Sequence, residues 1–195
     1  MSKVLGPIHH WLYAKIGHQE ALTAALAAQA REAGRIPDDA PFCRELPPLE
    51  SVIDEGNIHG WLQERITDAE RRFAALILAA GQDAAGLDFL CERAFAFGSA
   101  HALPAGIAPA DAYRAFEDFF VNGMPCDRVN AVTESAADRI SWEQTRELHA
   151  GLWTAQGGDA AVYYRLRRAV MDGMLAGSGL SLSTPDKDHY TICAR

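Results

Sequence analysis

The chain has 195 residues, 49% of them hydrophobic and 23% charged, with a formal net charge of -8; this is the balance of a globular fold with a sizeable core, and it excludes a disordered or fibrous chain. The acidic balance argues against a phosphate backbone as partner, and no apolar run nears the roughly 18 residues that a membrane helix needs. The opening residues lack a secretion-signal pattern, and Cys43, Cys91, Cys126 and Cys193 have no close spacing, so the expectation is a cytoplasmic protein with reduced thiols, no nucleic-acid partner and no membrane partner.

In chain order, Gly6-Pro7 predicts a helix start, because proline at the first helical position gives up no needed hydrogen bond. The helix is expected from Pro7 to Ala33, ended by Gly34. Its alanine-rich second half, Ala21 to Ala33, is smooth enough for close helix contact and would suit a homodimer. Prolines 37, 41, 47 and 48 then exclude regular structure up to a short helix over 48–55. A second long helix is expected from Ile58 to Ala80, with Leu62, Ile66, Phe73 and Ile77 on its inner stripe. Asp83 caps a third helix reaching Leu103, and Pro109 starts a fourth that ends at Val121.

Beyond Met124 the apolar period shifts towards two. Residues 128–134 and 139–143 predict one hairpin, and 180–183 with 189–193 a second. Helices are expected over 144–156 and 159–176. The fold class is therefore α+β and mostly helical: a helical lobe over residues 1–123 and an α+β lobe over 124–195, whose small antiparallel sheet of two hairpins carries two helices, the whole forming one compact unit.

The most specific local signal is a repeated string, Ile8-His9-His10-Trp11-Leu12 and Ile58-His59-Gly60-Trp61-Leu62. His9 aligns with Leu12 and Ile16, and His59 with Leu62 and Ile66, so both imidazoles are expected to point inward. Imidazole offers a neutral nitrogen lone pair, and paired helices can hold such ligands rigidly. A transition metal or a metal-bearing cofactor such as haem is therefore the leading expectation, with His9, His59 and His149 as nitrogen donors. Glu117, which interrupts the apolar face of Tyr113 and Phe120, is the candidate carboxylate ligand, and Cys126 a further candidate ligand. His10, Trp11 and Trp61 would line the same pocket, although packed histidines and aromatic core residues explain the pattern equally.

An enzymatic alternative gathers around the junction of the lobes. Cys126 would be a nucleophile if a base reached it, and His149 an acid–base group. Residues 128–193 resemble the C-terminal part of the L-2-amino-thiazoline-4-carboxylate hydrolase-like proteins. The likeness is carried by Ser141-Trp142-Glu143, by Thr145-Arg146-Glu147-Leu148-His149-Ala150-Gly151-Leu152-Trp153, by a tyrosine-containing helix and by a glycine-led terminal hairpin. It implies a hydrolase acting on a small sulfur or nitrogen heterocycle, and the enzymatic alternative as a whole is a hydrolase or lyase acting on a small polar heterocycle. His149 stands where that family commonly shows cysteine. The third expectation is a structural or regulatory subunit with no cofactor.

Overall fold

Proline at its first position starts α1, Pro7–Glu32, as the sequence predicts. The computed structural model describes residues 5–195. Asn57 caps α2, Ile58–Ala80, by accepting from the Gly60 amide, and Asp83 caps α3, Ala84–Ala100, in the same way through Gly86. A proline also opens α4, Pro109–Phe119. Strands β1, Asn130–Ser135, and β2, Arg139–Gln144, form the first hairpin. After α5, Ala150–Ala155, and α6, Ala160–Met174, strands β3, Leu180–Ser183, and β4, His189–Ala194, form the second. All strands pair antiparallel in the order β1-β2-β4-β3, so the fold is α+β and mostly helical.

Alternation along β2, β3 and β4 points Ile140, Trp142, Leu180, Leu182, Tyr190 and Ile192 to one buried face. That face is covered by α6 and by α4. The sequence reading assigned both covering helices to the second lobe; α4 comes instead from the first, and the larger core runs without a break from Leu22 on α1 to Ile192 on β4. Leu22, Leu26, Ala27 and Ala30, on the alanine-rich half of α1, are buried in this core. A smaller cluster, containing Leu12, Ile16, Leu62 and Ile66, joins the first halves of α1 and α2.

Two devices lock the helices. Arg72 on α2 forms a two-pronged ion pair with Glu20 on α1, from Nη1 to Oε2 at 2.7 Å and from Nη2 to Oε1, and Nη1 also donates to the Phe42 carbonyl at 2.9 Å. The irregular proline-rich segment is thereby tied to both long helices. Helices α3 and α6 cross where Gly98 and Gly173 face each other's backbones: a Cβ on Gly98 would lie 2.1 Å from the Val170 carbonyl oxygen, and one on Gly173 2.2 Å from that of Phe95. Only glycine permits this approach.

The helix expected over 144–156 is shorter, because the first part of that stretch is used by the sheet. Gln144 ends β2, its amide donating to the Asp188 carbonyl at 2.7 Å, and the Thr145 amide donates to Val129 at 2.7 Å. The short helix expected over 48–55 is a single 3-10 turn, Leu49–Ser51. Helix α4 stops two residues early, since Phe120 is already extended.

Candidate functional site

The repeated histidines do meet. His9 Nε2 lies 3.3 Å from His59 Nε2, with ring centroids 5.4 Å apart. His9 is buried whereas His59 is exposed, contrary to the expectation that both rings point inward. The Gly6 amide donates to His9 Nδ1 at 2.9 Å, so that nitrogen is the acceptor and the ring proton sits on Nε2, facing His59. Burial, then the neighbouring His59 and His10, pushes the His9 imidazole below its usual range. His10 is exposed, 3.7 Å from Glu50. Trp61 packs against Tyr13, and Trp11 donates its indole N–H to Asp118 at 2.8 Å. Among the described residues no group of three or more His, Cys, Asp or Glu side chains converges on one point as a metal-ligating set; His149 and Glu117 lie elsewhere, each on a cavity of its own.

His149 has the more chemically organised surroundings. Its Nδ1 lies 2.8 Å from Glu70 Oε1, a contact that joins the start of α5 to α2. The ring stacks on Tyr163 of α6 at 3.9 Å between centroids, which fixes its plane. The Glu147 carboxylate accepts the His149 amide at 2.6 Å and the Tyr164 hydroxyl at 2.7 Å. Burial opposes ionisation of Glu147, but the bonds from Tyr164 and from the His149 and Ala150 amides outweigh it and hold the carboxyl below its usual range. Burial and the Glu147 partner in turn keep Tyr164 protonated as a donor.

With Nδ1–H given to Glu70, the lone pair of His149 is left on Nε2, which is buried and has no partner among the described residues. The residue is 3% exposed and lines a cavity of about 280 Å³ together with Thr67, Glu70, Asp127 and Leu148. A carboxylate-oriented imidazole with its second nitrogen bare can take up a proton and have the resulting charge balanced. Cys126 is exposed in the 3-10 turn Pro125–Asp127, has no hydrogen-bonded base among the described residues and lines neither this cavity nor the next.

Gly123 forms a wall shared with a second cavity of about 370 Å³, whose lining includes Trp11, Lys15, Glu117, Asn122, Arg128 and Asn130. Its φ of +74° suits glycine, and a Cβ there would meet Leu148 Cδ1 at 2.4 Å and Asp127 Oδ2 at 2.7 Å. In this cavity Glu117 accepts from Asn130 Nδ2 at 2.6 Å. Lys15 is 4% exposed and its Nζ stands 4.0 Å over the Trp11 ring. Burial lowers its ammonium to about 8, against the opposing pull of Glu117 and Asp118 and with help from Arg167. The Tyr113 phenol, four residues before Glu117 on the same face of α4, is pushed up to about 12 by burial and by that carboxylate.

The residues that sequence reasoning missed are Glu70, Gly123 and Lys15. Glu70 follows Ile66 by four and precedes Phe73 by three, so it interrupts a buried stripe just as Glu117 does. Lys15 carries the same signal, lying four after Trp11 and seven before Leu22. The contact between His149 and Glu70 spans 79 positions and has no local signature. Comparison with protein-family models, curated proteins and solved structures found no match.

Proposed function

We propose that this protein is an acid–base enzyme, of hydrolase or lyase type, acting on a small polar heterocycle in the cavity beside His149. The observation that carries the reading is a buried imidazole that lines a cavity of about 280 Å³, with Nδ1 fixed by Glu70 and Nε2 unpartnered among the described residues. His149 Nε2 takes a proton from water or from substrate carbon, and Glu70 balances the imidazolium that forms. Tyr163 holds the ring plane, and Asp127 and Thr67 offer polar contacts to the ligand. The resemblance of the C-terminal stretch suggests ring opening of a sulfur or nitrogen heterocycle carrying a carboxylate.

The test is a panel of small heterocyclic carboxylates followed by proton NMR for binding and turnover. Turnover is expected from the wild-type protein and is expected to fall by at least ~100-fold in His149→Gln. Turnover that survives this substitution, or no binding by any member of the panel, overturns the reading.

A second reading is a transition-metal ion held by His9 and His59. It is favoured by their 3.3 Å nitrogen separation, which is about the spacing of two nitrogens each ~2.0–2.1 Å from a tetrahedral ion. Binding requires the Gly6 amide to release His9 Nδ1, because a ligating imidazole donates from its other nitrogen. Zinc titration by calorimetry is expected to give one site that His59→Ala removes; a wild-type protein that takes up no zinc overturns it.

A further inference from the structure

The chain contains 15 arginines and only three lysines, Lys3, Lys15 and Lys187. One of the three is buried on the wall of a cavity. An amine whose charge were needed for solubility or for a surface ion pair would not be placed there, because desolvation penalises the ammonium form. Among the described residues Lys15 has no hydrogen-bonded or ion-paired acceptor; its Nζ rests on the Trp11 face, and Trp11 is itself held by Asp118. Around the same cavity of about 370 Å³ stand one carboxylate, Glu117, two side-chain amides, Asn122 and Asn130, and the guanidinium-bearing Arg128. Asn130 fixes one oxygen of Glu117, and Asn122 Oδ1 is buried without a partner among the described residues. A nucleophile, a proton carrier and a cation thus line one small volume, with a buried unused acceptor in its wall.

We propose that this second cavity is an amine site in which Lys15 condenses with the carbonyl group of a small 2-oxo acid. The neutral amine adds through its lone pair to the carbonyl carbon, forming the C–N bond while the carbonyl π pair moves to oxygen. Glu117 takes one proton from nitrogen and passes it to the oxygen, giving a carbinolamine. A solvent proton carried by Glu117 then goes to that hydroxyl, which leaves as water as the nitrogen lone pair forms the C=N bond, and the remaining N–H proton goes back to solvent. The balance is amine plus oxo acid giving imine plus water, with no oxidant or reductant. Arg128 receives the carboxylate of the oxo acid, and Asn122 Oδ1 accepts from the carbinolamine hydroxyl. The proposal is independent of His149, which lies across the Gly123 wall.

The test uses the full-length protein with pyruvate as probe and cyanoborohydride to trap the imine, read by intact mass and peptide mapping. One adduct is expected, with the mass of pyruvate less one oxygen, on Lys15 and not on the exposed Lys187. Lys15→Arg is expected to lose it, and Glu117→Gln to slow trapping by at least ~10-fold. Labelling absent from Lys15, or spread equally over Lys187 and the terminal amine, overturns the proposal. So does an unchanged rate in Glu117→Gln. The wild-type map decides the matter even where a Lys15 variant does not fold.

Discussion

Gly123 is where backbone conformation and the candidate site depend on the same atom, so Gly123→Ala is a sharp perturbation. At φ +74° an L-residue costs about 1–2 kcal/mol. The new methyl group also meets Asp127 Oδ2 at 2.7 Å, and that oxygen accepts the Met124 amide at 2.8 Å. Moving it forfeits one hydrogen bond, about 1 kcal/mol. Leu148, the other contact, can swing towards solvent. The sum is about 2–3 kcal/mol. Gly34→Ala is the internal control, since Gly34 has φ +68° but would set its Cβ in open space; it should cost only the backbone part, about 1–2 kcal/mol. Urea unfolding of the three proteins measures both values. Equal losses for the two variants would refute the packing argument at Gly123, and a loss confined to Gly34→Ala would refute the backbone argument too.

Glu20→Gln leaves Arg72 in a largely buried place without its charged partner and should destabilise by about 3–5 kcal/mol in urea unfolding; a cost like that of a surface pair would show that Asp68 suffices. Gly98→Ala forces a methyl group into the Val170 backbone and should cost about 3 kcal/mol, the upper end for overpacking, lowering the thermal midpoint. A neutral effect would mean that α3 and α6 slide apart freely. Lys15→Met tests the buried amine through pH. The folded protein releases that proton near 8 and the unfolded chain near 10.4, so the unfolded state binds more protons in between and wild-type stability rises with pH there. Relative to Lys15→Met, the wild type should gain on the order of 2 kcal/mol between about pH 8 and 10; parallel stability curves would place Lys15 in water.

Much of the architecture is legible in the sequence because its cues are local. Pro7, Asn57, Asp83 and Pro109 start helices for reasons confined to one turn, and the hairpins are marked by their alternation. Where two local tendencies compete, the sequence is silent: residues 144–148 have helical spacing, yet the strand pairing of Gln144 and Thr145 takes their backbone. The cover of the sheet by α4 is a tertiary choice with no mark in α4 itself, whose stripe would suit any apolar partner. The site divides in the same way. The approach of His9 to His59 follows from the repeated string. The bond from His149 to Glu70 depends on how α5 lands against α2, and the value of Lys15 depends on a cavity that exists only once α1, α4 and the 122–130 segment are assembled. A carboxylate or an amine interrupting an apolar stripe is the one sequence cue that marks both.

The proton on His149 tests the central claim most directly. Nitrogen-15 NMR of labelled protein in mildly alkaline buffer is predicted to show a protonated Nδ1 and a bare Nε2, with the Nδ1–H signal shifted strongly by Glu70→Ala. A proton found on Nε2, or an imidazole spectrum indifferent to Glu70, would contradict the account.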